Sequence, residues 1–216
     1  MSKAQLKNRP QALRQALQEQ TRAAYREAIL DAAERVFLND GFQSAKMVDV
    51  AEATGVSVGT LYNYFDSKEA VFLALVERHR TRYFELLTAP FESDDTFENL
   101  QEFVHRSLHF VETNGALFSI YLRSSTPVFD ATLRNTPAIS AAEDNQRYIS
   151  QLTNLLSDCV RKGLLRDDIP VDELAWSIYS LLHAAILEWV GAPEQKSLLT
   201  RGKFFIQLFL EGASRK

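Results

Sequence analysis

Between Ser57 and Lys68 the chain places Val58, Gly59, Thr60, Tyr62 and Asn63, a run of small, hydroxyl-bearing and amide side chains. Such a set suits recognition rather than bond-making. Asn63 can donate and accept, and Thr60 adds a hydroxyl, so both can meet base edges. The methyls of Val58 and Thr60 can meet a thymine methyl. Tyr62 offers a phenol and Lys68 an ammonium for phosphates, which set register and carry no sequence information directly. Ser44, Lys46 and Ser57 complete the candidate nucleic-acid set. No Arg or Lys lies between Ser57 and Phe65, so binding strength must come from elsewhere.

Groups that could make or break bonds are sparse. His105 and His109 stand one helical turn apart, with Glu112 nearby, a spacing some zinc sites use. No cysteine is near and HExxH is absent, so a solvated face is the better reading. Cys159 follows Leu155 and Leu156 on an apolar stripe and reads as a small buried hydrophobe. The stretch Gly55-Val56-Ser57-Val58-Gly59 lacks the Lys-Ser/Thr of a phosphate loop, and no GxSxG elbow occurs. Neither an enzyme, a metal nor a cofactor is expected.

The recognition residues need a scaffold. Ser44 can cap a first helix, and Met47, Val50 and Ala51 give it one apolar face. Gly55 stops it, since glycine takes a positive φ without strain. Ser57 can cap a second helix, in which Leu61 and Phe65 face inward one turn apart. Ala51, Gly55 and Leu61 have the spacing of a helix-turn-helix over about 45–64, whose second helix leads into the DNA major groove.

The run GVSVGTLYNYFDSKEAVF resembles the recognition helix and following linker of TetR-like transcriptional repressors, named after the tetracycline repressor. The matching residues are Gly55, Val56, Ser57, Gly59, Thr60, Leu61, Tyr62, Phe65, Ser67 and Lys68. Ala28 to Phe37, with Gly41 and Phe42, are similar to the family's first helix. The resemblance is specific over roughly residues 22–82 and architectural beyond. It implies three parts: a basic extension (1–21), a DNA-binding head (22–82) and a ligand-binding and dimerisation domain (83–216).

Composition agrees with a localised footprint. The 216 residues are 46% hydrophobic with a formal net charge of −4, so the whole chain is no basic coat. In the first 26 residues, however, Lys3, Lys7, Arg9, Arg14, Arg22 and Arg26 face only Glu19. One cysteine excludes an intrachain disulfide, no apolar run reaches a membrane span, and the N-terminus lacks a signal-peptide core. A cytoplasmic protein without membrane contact is the expectation.

Helical periods dominate and no strand pattern appears, so the expected fold is all-α, a three-helix head followed by a helical bundle. Thr21 to Asn39 is expected to bury Tyr25, Ala28, Ile29, Ala32, Ala33, Val36 and Phe37, and residues 1–20 to extend it, partly helical. Asp66 with Glu69 is expected to cap a helix from Ser67 to Thr88, and Asp95 with Glu98 to cap the next, ending at Asn114-Gly115. A short helix (116–123), a loop (124–137) and helices 138–162, 171–190 and 194–212 follow.

The last two helices are apolar nearly all round and must be covered on both sides. Packing against a second copy as a four-helix bundle explains this, with Leu174, Ile178, Leu182, Phe205 and Phe209 as candidates. The resembled family dimerises through these helices, which places two heads about 34 Å apart on an inverted-repeat, double-stranded operator. The resemblance also implies a small-molecule effector pocket. Phe103, Phe118, Tyr121, Trp176, Tyr179 and His183 are its candidates, aromatic walls with a few polar anchors. The expected function is a homodimeric repressor released from a palindromic operator by that ligand. The rival is a helical small-molecule-binding or protein-interaction module without specific DNA reading.

Overall fold

The computed structural model describes residues 9–123, 141–191 and 197–213, with side chains over 13–115, 143–190 and 197–212. The described residues form α1 (Arg9–Asp40), α2 (Met47–Thr54), α3 (Val58–Tyr62), α4 (Lys68–Thr88), α5 (Thr96–Arg123), α6 (Ala141–Arg161), α7 (Val171–Gly191) and α8 (Leu198–Ala213), with no strand among them. The chain divides into two compact units, Met1–Val76 and Glu77–Lys216. The expected all-α class is what the structure has.

In the first unit, α1 incorporates the described part of the expected extension without a break. Its buried face begins later than the periodicity suggests. Ile29, Leu30, Ala32, Ala33, Val36 and Phe37 are buried, whereas every side chain from 13 to 28 is exposed. Tyr25 and Ala28 therefore leave the expected stripe. Tyr25 instead lies at the edge of the unit, its ring 6.2 Å from that of Tyr64. Phe42 packs against Phe37 of α1 at 5.3 Å and Phe72 of α4 at 4.9 Å, making the aromatic centre of this core. Leu61, Val71 and Leu75 are buried in the same unit.

Several helix ends in the head differ from expectation, and the cap chemistry differs with them. Ser44 does not cap α2; it is exposed in the turn before it. The Asp49 carboxylate accepts instead from the Lys46 backbone N–H at 2.8 Å. Gly55 (φ +78°) ends α2 as expected, its N–H donating to the Ala51 carbonyl at 2.9 Å. Ser57 caps α3, its hydroxyl accepting from the Thr60 N–H at 3.0 Å. The helix stops at Tyr62 rather than Phe65, because Asn63 and Tyr64 donate three residues back, to Thr60 and Leu61, in a tightened last turn. Ser67, not Asp66, caps α4, accepting from the Ala70 N–H at 3.1 Å.

The second unit packs α8 against α5 and α7, and α6 against α5 and α7. Asp95 caps α5 as expected, accepting from Phe97 N–H at 2.7 Å, while the Glu98 carboxylate takes the Ser93 hydroxyl. The expected stop at Asn114-Gly115 is absent, for α5 runs on to Arg123. Gly115 is there for proximity. A Cβ on it would lie 2.4 Å from the Trp189 ring of α7, so any other residue would force the ring or the helices to shift. Within the helix, the Asn114 amide donates to the Phe110 carbonyl at 2.8 Å. Gly163 (φ +71°) ends α6. The expected loop 124–137 lies outside the described residues.

Candidate nucleic-acid interface and effector region

The turn and α3 present one exposed surface. Ser57, Val58, Gly59, Tyr62 and Asn63 are exposed and Thr60 is half-buried, while Leu61 beneath them is fully buried. The Ser57 and Thr60 hydroxyls lie 2.8 Å apart, so the cap also holds the Thr60 hydroxyl in one place. Tyr62 is 48% exposed, which leaves its phenol free to reach outward. A Cβ at Gly59 would meet nothing closer than the Ser57 hydroxyl at 3.9 Å, so this face is flat and open. Ser44 and Lys46 are exposed on the approach to α2. Within this unit the structure thus brings the expected polar set to the surface of the helix-turn-helix.

Lys68 departs from that set. Its Nζ donates to the carbonyls of Phe42 at 2.7 Å, Ala45 at 2.9 Å and Gln43 at 3.1 Å. An ammonium carries three N–H donors, so none remains for the phosphate expected of it. Of the two lysines in the candidate set, Lys46 is the exposed one. Further cations come from α1, where Arg14, Arg22 and Arg26 are exposed, Arg26 with its guanidinium 5.1 Å from the Phe65 ring centroid.

In the second unit, four of the pocket candidates join one seam. Phe103 lies against Tyr148 at 5.0 Å, Tyr148 meets Tyr179 at 5.6 Å, and Tyr179 contacts Trp176 and His183, both at 5.5 Å. Sequence reasoning does not single out Tyr148, nor Tyr83 and Ser107, whose hydroxyls lie 2.7 Å apart. A tyrosine in an apolar stripe carries no mark of which polar atom it will meet. Burial pushes the Tyr148 phenol up to about 12, partly offset by a bond with Ser107, and raises Tyr83 well above the usual phenol range. These phenols stay neutral and serve as hydrogen-bonding groups. Asp144, 3.3 Å from Arg80, is raised by burial against the pull of Arg80 and Arg147. The side chains of Phe118 and Tyr121 lie outside the described residues.

An open groove of about 1030 Å³ runs between α5 and α8, floored by Phe97, Val104, Leu108, Leu199 and Ile206. None of Phe103, Trp176, Tyr179 and His183, the described pocket candidates, lines it. His105 and His109 stack at 5.8 Å on the exposed side of α5, while Glu112 accepts from Ser197 and from the Leu199 N–H at the start of α8.

The candidates for a two-fold face are redistributed. Leu174, Ile178, Leu182 and Phe209 are buried in this chain's own core and Phe205 is half-buried, so the first four have almost no surface left for a second copy. The apolar surface on these helices belongs to Trp176 (48% exposed) and Leu187 (46%) of α7, and to Phe204 (62%) and Leu208 (50%) of α8. Helical period alone does not show which side of each helix the chain's own core covers.

Residues 29–75 match the model of the tetR family of bacterial regulatory proteins. Over 200 residues the chain is 24% identical to the HTH-type transcriptional repressor BepR of Brucella suis, covering 88% of this chain and 91% of that one. SmeT, the repressor of the Stenotrophomonas maltophilia multidrug efflux pump SmeDEF, superposes with a TM-score of 0.67 at 20% identity, over 88% of this chain and 91% of its own. The regulator FadR of Bacillus subtilis, solved with stearoyl-CoA, superposes with a TM-score of 0.62 at 20% identity, over 86% and 98%. Such relatives are regulators rather than enzymes. No described helix is long and apolar enough to cross a membrane.

Proposed function

From a chain that is TetR-like in the sequence of its head and in its fold, we infer a sequence-specific DNA-binding repressor that works as a homodimer and leaves a palindromic operator when a small molecule binds. The observation that carries this reading is the flat, exposed face of α3 around Gly59, flanked by Tyr62 and Asn63 over a buried Leu61. Thr60 and Asn63 read bases; Tyr62 and Lys46 hold phosphates. The arginines of α1 supply the charge that α3 lacks. Two copies joined through Leu187, Phe204 and Leu208 present two such faces to two half-sites.

The effector enters the second unit along the Tyr148–Tyr179 seam, where neutral phenols orient an otherwise apolar ligand. Long-chain acyl-CoA is the first class to try, since a solved neighbour carries one. Release requires only that the ligand prefer the state that DNA does not. A coupling of about 1–3 kcal/mol lowers operator affinity roughly 5–150-fold.

The test is selection of the purified protein against random duplex DNA at near-physiological salt. An inverted repeat recovered as one dominant sequence is expected. Binding that is indifferent to sequence and vanishes as salt rises would instead favour the helical module without DNA reading. The absence of Arg and Lys from Ser57 to Phe65 is the observation on that side.

A further inference from the structure

Three carbonyls converge on one atom at the start of α4. Phe42, Gln43 and Ala45 all point their oxygens at Lys68 Nζ, at 2.7, 3.1 and 2.9 Å. They belong to the turn between α1 and α2, which begins at Gly41 (φ +77°) and is closed by the Ala45 N–H on the Gly41 carbonyl. The ammonium also sits 4.6 Å from the centroid of the Phe42 ring, which is itself held between Phe37 and Phe72. Two residues beyond Ala45, α2 begins.

This arrangement suits lysine alone. A compact ammonium directs three rotatable donors outward from one point, whereas the planar guanidinium fork of arginine cannot bring three donors to so small a cluster. Moving Nζ to a phosphate would break three charge-assisted bonds and leave the Phe42 and Ala45 carbonyls without that partner in a partly buried place.

We propose that Lys68 is a positioning residue, not a phosphate ligand: it ties the first turn of α4 to the segment that opens the helix-turn-helix. A displacement of α4 then carries α2 and α3 with it as one body. Without the tie, α4 could shift while the turn at residues 41–46 deformed and the reading face stayed behind. The proposal rests on the reading that the head binds duplex DNA, but its first test does not.

That test is amine modification of the free, full-length protein by reductive methylation, comparing Lys68 with the exposed Lys46. Lys68 is expected to react about tenfold or more slowly, because its nitrogen must first leave three carbonyls. Equal rates would overturn the proposal whether or not DNA is ever bound.

The second test compares Lys68→Arg and Lys68→Met with the wild type on the selected operator across a salt series. Arginine keeps the charge and the reach. A phosphate ligand would survive that change, and Lys68→Met would flatten the log–log salt dependence by about 0.9 per half-site. The tie predicts the reverse: Lys68→Arg binds about tenfold or more weakly, and both variants keep nearly the wild-type slope. Hydrogen exchange over residues 41–50 should quicken in both variants without DNA. Wild-type affinity in Lys68→Arg, or unchanged exchange, would refute the tie.

Discussion

Two glycines show how one residue type answers to opposite demands. Gly59 has open space around it, so nothing inside the head requires it. If α3 lies against a groove floor, the requirement comes from the partner. Gly59→Leu should therefore leave the melting temperature unchanged or raised, since glycine within a helix costs about 0.5–1 kcal/mol relative to alanine. The same change should weaken operator binding on the order of tenfold or more by standing the helix off the bases. Equal binding by mutant and wild type would remove α3 from the interface. Gly115 is the converse, with the rigid Trp189 ring 2.4 Å from where a Cβ would be. Gly115→Ala should destabilise by about 1–3 kcal/mol through overpacking, read as a lower midpoint in urea with an unchanged slope.

At the scale of elements, α1 and the α7–α8 pair each carry exposed surface among the described residues. The side chains of α1 from 13 to 28 are exposed and include Arg14, Arg22 and Arg26. Removing residues 1–20 takes away Lys3, Lys7, Arg9 and Arg14. It should weaken binding to all duplexes alike and flatten the salt dependence by roughly one unit for each phosphate that the arm neutralises. An unaltered slope would show the arm idle. Leu187 on α7 and Phe204 on α8 are large, apolar and about half exposed. Leu187→Asp combined with Phe204→Asp should shift the sedimenting species from dimer to monomer while the helical circular dichroism persists, because neither side chain belongs to the monomer's core. A dimer that endures in that double variant would place the two-fold contact elsewhere.

For the whole molecule, two buried acids set a limit at high pH. Burial raises the Cys159 thiol from 9.0 to about 11 and the Tyr148 phenol from 10.0 to about 12. Both are raised in the folded state, so both contribute stability that is fully present below the unfolded values and lost as pH rises through the folded ones. The urea midpoint should be level from about pH 7 to 9 and fall steeply between about 10 and 12. In the folded protein at pH 8, Cys159 should not react with a thiol reagent, being fully buried and un-ionised. Prompt reaction at that pH would mean that the α5–α6 core opens readily.

What the sequence determined by itself is what neighbours within a turn or two decide. The helical class, the helix-turn-helix, the stops at Gly55 and Gly163 and the caps at Ser57 and Asp95 all follow from local hydrogen bonding and from glycine's access to positive φ. Even there, adjacent candidates competed, and Ser67 prevailed over Asp66 by backbone geometry that composition does not reveal. Tertiary structure alone decided the rest. Lys68 reads as a DNA-facing cation until three carbonyls from the preceding turn close on it. Gly115 reads as a helix stop until Trp189 is laid against it. Leu174 and Ile178 read as a face for a second copy until the chain's own helices cover them. In each case the deciding partner lies on another element, and the period of a single helix states that a face is apolar without stating what covers it.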